Sequence, residues 1–484
     1  MKYSINSKKK VLVTGATGFI AGWLIKKLVE AGVCVHAAVR DPENEQKVAH
    51  LKKLSENGPG TVILFKADLL ETGSYADAMA GCDIVFHTAS PFITKFKDSQ
   101  KDLIEPALLG TENVLATASA TASVKRVVLT SSVVAIYGDT IECASLHDGT
   151  LTENEWNVTS TASHQPYSYS KVLAERAAWD IAEGQDKWSL VVINPAFVIG
   201  PSVSGYSTSA THDILLQLGD GTLKAGAPPF EIGVVDVRDV AEAHLRAAYI
   251  KNAEGRHIIF NEVKSFVNLA GFLTEKYGKD FPLPKKELPK WLLWLVGPIV
   301  DKTFSRKMIS LNMGHKWRAN NGKSIEKLGM TYSSLKSSTE EMFQQMIDEG
   351  TRRAYLNPDN PLRASIVKDP AGARINTKDN TPSVVHIDMV AGNHIEVMIA
   401  AKGGGSENKS KMAMLNPSDD IAAWVEKTLP TMGAGWCPPG MLGIGIGGTA
   451  EKAAVMAKES LLQKPDGQVK AVVLKEPCLL RKMP

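Results

Sequence analysis

The sequence is poor in cysteine, in charge of one sign and in long apolar runs. Its 484 residues hold five cysteines, Cys34, Cys82, Cys143, Cys437 and Cys478. The number is odd, the spacing is wide and no CxxC occurs. That excludes a disulfide-stapled scaffold and points to a reducing compartment, so the cytoplasm is the expected location. Net charge is only +3. Such a balance lacks the basic face or tail of a nucleic-acid binder, and none is expected as a partner. Lys8, Lys9 and Lys10 read as a solvated lead-in to the first strand. No apolar h-region precedes that strand, so no secretory signal is expected. The longest apolar run, "WLLWLVGPIV" (291–300), is about half a membrane span and contains Gly-Pro. A buried helix or a pocket wall is expected there, and no membrane partner.

What remains is a globular composition, 44% hydrophobic and 22% charged. At roughly 100–200 residues per domain, the length suggests two or three domains, or one large and one small. Up to about residue 350, apolar runs alternate with helix-period segments. "KVLVTG", "VCVHAAVR", "TVILFKAD", "DIVFHTAS", "KRVVLTSS" and "SLVVINPA" read as strands. "GFIAGWLIKKLVEAG" reads as an amphipathic helix ending at Gly32. Nearly all-apolar strands separated by helices indicate a parallel sheet covered on both faces, an α/β doubly wound fold.

The first strand–helix turn, "TGATGFIAG", carries Gly15, Gly18 and Gly22. Glycine there permits a tight turn and lets a pyrophosphate approach the amides of a helix N-terminus. A merely tight turn is the competing reading. The second strand ends in "AAVRDP", where Arg40 suits a ribose 2′-phosphate and Lys47 can assist. The neighbouring Asp41 keeps NADH open beside NADPH. Further on, "TSS" (130–132) ends a strand and "YSYSK" (167–171) opens a helix. Tyr167 and Lys171 are four apart and share a helix face. A free phenol has a pKa of about 10. A lysine ammonium beside it favours the phenolate and is expected to lower that value. The pair can then give a proton to a carbonyl oxygen while hydride reaches carbon, and Ser132 can hydrogen-bond the same oxygen.

These motifs, with "VFHTASPF", "GTENVL", "NPAFVIGPS" and "DVRDVAEAHLRA", make residues 9 to about 350 resemble extended short-chain dehydrogenases/reductases of the dihydroflavonol reductase-like branch. The resemblance implies a Rossmann-type fold and NADP(H)-dependent reduction of a small carbonyl substrate. It implies Ser132, Tyr167 and Lys171 as the catalytic set. It also implies cofactor contacts at Gly15, Thr17, Gly18, Phe19, Ile20, Arg40, Lys47, Asp68, Leu69, Thr88, Ala89, Ser90 and Pro195. Two departures stand out: Ala21 replaces the family's third glycine, and Pro106 replaces an asparagine of epimerase-type relatives. Substrate contacts are expected around residues 208–226 and 291–294, where the family varies.

The amphipathic segment "SSLKSSTEEMFQQMIDEG" is expected to close at Gly350, and after it the texture changes. "SVVHIDMV" and "HIEVMIAA" alternate like antiparallel strands. Composition alone reads Gly403, Gly404 and Gly405 as a flexible turn, Cys437 as a structural thiol, and "GIGIGGT" as a turn before a helix starting near Thr449. "NPDNPLRAS", "AAKGGGSENKSKMAMLNPSDD" and "PTMGAGWCPPGMLGIGIGGTAEKA" resemble the N-terminal part of class I fumarases and tartrate dehydratases, which are iron–sulfur hydro-lyases. The resemblance implies that Cys437 matches one of three [4Fe–4S] ligands, and that Arg363 and residues 402–406 match dicarboxylate-binding segments. The family's other two cysteines and its base have no counterpart here, and Cys478 does not sit in a matching context. The expected organisation is therefore a reductase, 1–350, followed by an incomplete α+β hydro-lyase fragment, 351–484. That fragment would hold a cluster only if a partner chain completed the site. An inactive fragment, a docking module, a homo-oligomer contact and an unnatural join near Gly350 all remain open at this stage.

Overall fold

The computed structural model describes residues 3–90, 97–205, 210–300, 304–356, 367–368, 375–376, 410–432 and 442–461. The chain divides into two units, Met1–Glu349 and Gly350–Pro484.

The first unit is built on β1 (Lys10–Thr14), β2 (Cys34–Val39), β3 (Thr61–Lys66), β4 (Cys82–His87), β5 (Arg126–Thr130) and β6 (Ser189–Pro195). With β9 (Gly255–Ile259) they form a parallel seven-stranded sheet in the order β3-β2-β1-β4-β5-β6-β9. Successive strand residues feed opposite faces. Val11 and Val13 join α1 (Phe19–Glu30) and α7 (Val237–Tyr249) in one core. Leu12, Val127 and Leu129 join α4 (Glu105–Ala120) and α5 (Pro166–Glu183) in the other. Burial on both faces explains why the strands read as continuous apolar runs. Helix α2 (Glu45–Asn57) and the single turn α3 (Ala76–Met79) link the early strands.

A second layer carries β7 (Phe197–Ile199), β8 (Glu231–Asp236) and β10 (Glu262–Ser265), ordered β10-β8-β7. It packs with α6 (Ala210–Gly219), α8 (Phe266–Tyr277) and α12 (Leu335–Leu356) around Leu218, Leu273, Tyr277 and Phe343. Helices α9 (Lys290–Val300), α10 (Arg306–Asn312) and α11 (Gly322–Leu328) complete the unit.

Two sequence expectations need correction. Helix α9 forms, but it is not buried: Gly297 is its one buried residue. Hydropathy reports how apolar a run is, not whether a layer covers it. The helix expected to close at Gly350 runs on to Leu356. A single glycine costs only about 1 kcal/mol in a helix interior, too little to stop it.

In the second unit, β11 (Val367–Lys368) and β12 (Ile375–Asn376) pair antiparallel. Helix α13 (Ile421–Thr428) is capped by Asp420, which accepts from the amides of Ala422 and Ala423 at 2.8 and 3.2 Å. Helix α14 (Ala450–Ser460) starts beside Thr449, as its sequence signal implies, and the Thr449 hydroxyl caps Lys452 N at 3.2 Å. The "GIGIGG" stretch lies flush on this helix: a Cβ at Gly445 would fall 1.9 Å from the Ala453 carbonyl oxygen. The strands expected at 383–390 and 394–401 lie outside the described residues.

Candidate active site

The candidate residues follow the carboxyl ends of strands of the seven-stranded sheet, on the loops there, in the helices that follow, or, for Pro195, at the strand end itself. Strand order reverses between β1 and β4, which opens a crevice where doubly wound folds bind ligands. Gly15 follows β1 with φ +62°, and a Cβ there would lie 2.8 Å from Ala89 Cα. Only glycine lets the loops after β1 and β4 approach so closely. The Ala89 amide donates to Thr14 Oγ1 at 3.1 Å, and the Thr88 hydroxyl donates to the Thr14 carbonyl at 2.6 Å. Thr14 Oγ1 also lies 2.9 Å from Nδ1 of buried His87. Gly18 N–H donates to Gly15 O at 2.8 Å, and no side chain caps the N-terminus of α1. Thr17 and Gly18 are exposed, while Phe19, Ile20 and Ser90 are half-buried. This bare cradle at a helix N-terminus fits a dinucleotide pyrophosphate. The Ala21 methyl group is 1% exposed within the core, so the missing glycine is accommodated by packing.

The remaining cofactor candidates line the same edge. Arg40 and Lys47 are exposed, and among the described residues neither is in an ion pair. The Asp41 carboxylate caps its own turn, accepting from Glu43 N at 3.1 Å. Half-buried Asp68 accepts from Leu70 N at 2.9 Å, and Leu69 packs where a Cβ on Gly110 would come within 3.0 Å of its own Cβ. Pro195 is buried at the end of β6.

Ser132 caps a single turn, Val133–Ala135, and a side-chain hydrogen bond joins it to Tyr167. Tyr167 and Lys171 lie in the first turns of α5, and Lys171 Nζ is 5.9 Å from the Tyr167 ring centroid. The three are thus brought together. Their protonation differs from the sequence expectation. Burial pushes the Tyr167 phenol up to about 12, with the Ser132 bond opposing. Burial also pulls Lys171 down to about 8, with Glu175 opposing. Desolvation disfavours both charged forms, and it is the Ser132 hydrogen bond, not Lys171, that opposes it at the phenol.

Sequence reading missed Glu175. It is fully buried one turn beyond Lys171. Its carboxylate takes Arg256 Nε at 2.6 Å, Asn194 Nδ2 at 2.8 Å and the Ser131 hydroxyl. Asn194 in turn donates to the Ser132 carbonyl at 3.2 Å. The i, i+4 spacing that links Tyr167 to Lys171 also links Lys171 to Glu175, and that signal was available. The contacts from Asn194 and Arg256 bridge separate strands and were not.

Thr208, Arg363, residues 402–406, Cys437 and Cys478 lie outside the described residues. Among the described residues, no group of three or more His, Cys, Asp or Glu side chains could hold a metal ion.

Fold and site together define a dinucleotide-binding oxidoreductase. Residues 11–261 match the NAD dependent epimerase/dehydratase family, and the chain belongs to it. Tetraketide alpha-pyrone reductase 1 of Arabidopsis thaliana is 36% identical over 359 residues, 72% of this chain and 98% of that protein. Cinnamoyl-CoA reductase CAD2 of Medicago truncatula is 40% identical over 288 residues, 58% and 85% of the two chains. The structure of yeast methylglyoxal/isovaleraldehyde reductase Gre2 complexed with NADPH is 27% identical, with a TM-score of 0.54 over 70% of this chain and 99% of that one. Residues 327–476 match the fumarate hydratase (Fumerase) family, so a hydro-lyase-like segment is joined to the reductase.

Proposed function

We propose that the first unit reduces an aldehyde or ketone to an alcohol with NADPH. The observation that carries this reading is the meeting of Ser132, Tyr167 and Lys171 beside the Gly15 cradle. NADPH, when bound, supplies the hydride. Gly15, Thr17, Gly18, Phe19 and Ile20 hold its pyrophosphate side. Arg40, free of Asp41 and assisted by Lys47, takes the 2′-phosphate, while Asp68 and Leu69 border the adenine. Thr88, Ala89, Ser90 and Pro195 wall the crevice. Relatives that are reductases, one of them solved with NADPH, support the choice.

The Tyr167 hydroxyl, with its pKa near 12, is protonated at neutral pH and donates that proton to the carbonyl oxygen as negative charge develops there. Ser132 hydrogen-bonds the same oxygen and orients it. Lys171, held charged below about pH 8 with help from Glu175, stabilises the phenolate that remains. Solvent then returns the proton. No step passes through an iron–sulfur cluster.

Purified chain given NADPH and a panel of aldehydes and ketones tests this. Stoichiometric NADPH oxidation, abolished in Tyr167→Phe, is expected. Tight NADPH binding with no turnover of any carbonyl would overturn it. Three of the five cysteines, Cys34, Cys82 and Cys143, are free thiols, which supports a reducing compartment such as the cytoplasm.

For the second unit we infer a fragment that needs a partner chain to act as a hydro-lyase. Its described residues expose Leu442, Ile444 and Ile446, an apolar edge that suits a missing layer. A cluster would need two further cysteines from that partner beside Cys437.

A further inference from the structure

Helix α9 turns Trp291, Trp294, Leu295, Val296, Ile299 and Val300 outward, at 66, 39, 50, 43, 85 and 78% exposure. Its attachment is through the opposite side, where a Cβ on buried Gly297 would meet Ile309 Cδ1 at 3.1 Å and Phe304 Cβ at 3.3 Å. An ordinary surface helix exposes polar residues on the face opposite its attachment; this one exposes none.

The charge around the helix is equally uneven. Between Lys285 and Lys307 stand six basic residues and two acidic ones, net +4, in a chain whose total is +3. Lys285, Lys286, Arg306 and Lys307 are exposed, and among the described residues none of them is in an ion pair. The Arg306 guanidinium lies 4.6 Å from the Trp294 ring centroid. Lys290 Nζ donates to the Ser310 carbonyl at 2.9 Å. An apolar wedge bearing two tryptophans inside a basic rim is the chemistry of an interfacial helix.

Length decides how such a helix can meet a bilayer. At 1.5 Å per residue it is about 16 Å long, about half the hydrocarbon thickness. It can lie in the headgroup boundary but cannot cross. A second copy is a poor occupant, because it would set two rims of net +4 against each other. We propose that α9 and its basic flanks dock the chain on the surface of an anionic lipid bilayer. The absence of a membrane-spanning run, from which no membrane partner was expected, does not bear on surface docking.

Flotation of the full chain tests this, with vesicles of equimolar phosphatidylcholine and phosphatidylserine compared with phosphatidylcholine alone. The chain is expected to float with the anionic vesicles about tenfold more, and to be released by raised salt. Ile299→Glu with Val300→Glu is expected to abolish flotation, while Ile299→Leu with Val300→Ile keeps it. NADPH binding measured on each variant confirms that it is folded. Three results would overturn the proposal. One is absence of flotation with both vesicle types. Another is equal flotation of the wild-type and glutamate chains. The third is a change in solution mass of the glutamate variant without vesicles, which would assign the face to a second copy.

Discussion

The two units bury their apolar residues to very different extents. In the first, β1 alone sends Val11, Leu12 and Val13 into cores on both sides of the sheet, each fully buried. In the second, Met456 is the one buried side chain among the described residues. Leu442, Ile444 and Ile446 stay 42, 40 and 45% exposed. The first unit's strands are continuous apolar runs, whereas Leu442, Ile444 and Ile446 alternate with glycine. An apolar face is buried only where an opposing layer exists to cover it.

Tyr167→Phe removes the proton donor and should lower kcat/KM for carbonyl reduction by about 10²–10⁴-fold. Steady-state NADPH oxidation measures it, and Cys437→Ala should leave the same rate unchanged.

Next comes packing. Leu24→Ala, in the first core, should cost about 2–5 kcal/mol, while Ile444→Ala should cost under about 0.5 kcal/mol. Denaturant unfolding of the two variants checks the contrast; equal costs would mean that the second unit is packed like the first.

Lys171 gives two pH predictions. Its charged form is needed and its pKa is lowered to about 8, so kcat/KM for reduction should fall as pH rises through about 8. Glu175→Gln removes the carboxylate that opposes this lowering, and the alkaline limb should move to lower pH. For stability the sign is opposite. The folded chain releases this proton near pH 8, the unfolded chain only near 10.5. The unfolded state therefore binds more protons in that window, and this group's contribution to stability rises with pH across it. Lys171→Met should stabilise the fold at pH 7, and the gain should fade as pH approaches 10. Thermal unfolding at the two pH values measures it.

The smallest effect concerns the thiols. Burial raises Cys82 to about 12, so at neutral pH it should react with iodoacetamide several-fold more slowly than half-buried Cys34.

Much of the first unit was legible because its signals are local. Each central strand is a short apolar run, and the Gly15 turn and the Tyr167–Lys171 pair are fixed by spacing. What was not legible depends on distant layers. The exposure of Trp291 and Ile299 follows from what fails to cover α9. The raised Tyr167 phenol follows from desolvation by the whole cleft. Arg256 reaches Glu175 across 81 positions of sequence. Gly350 looked like a helix end, but neighbouring helix formers carried the chain on to Leu356. In the tail, only the helix capped by Thr449 can be set against its sequence signal, since Cys437 lies outside the described residues.

The central claim is that the reductase chemistry is complete within the first unit. Its most direct test is NADPH-dependent carbonyl reduction by a chain ending at Leu356, compared with all 484 residues. Equal kcat/KM, lost in both on Tyr167→Phe, is predicted. A folded, NADPH-binding short chain without activity, or turnover that survives Tyr167→Phe, would contradict it.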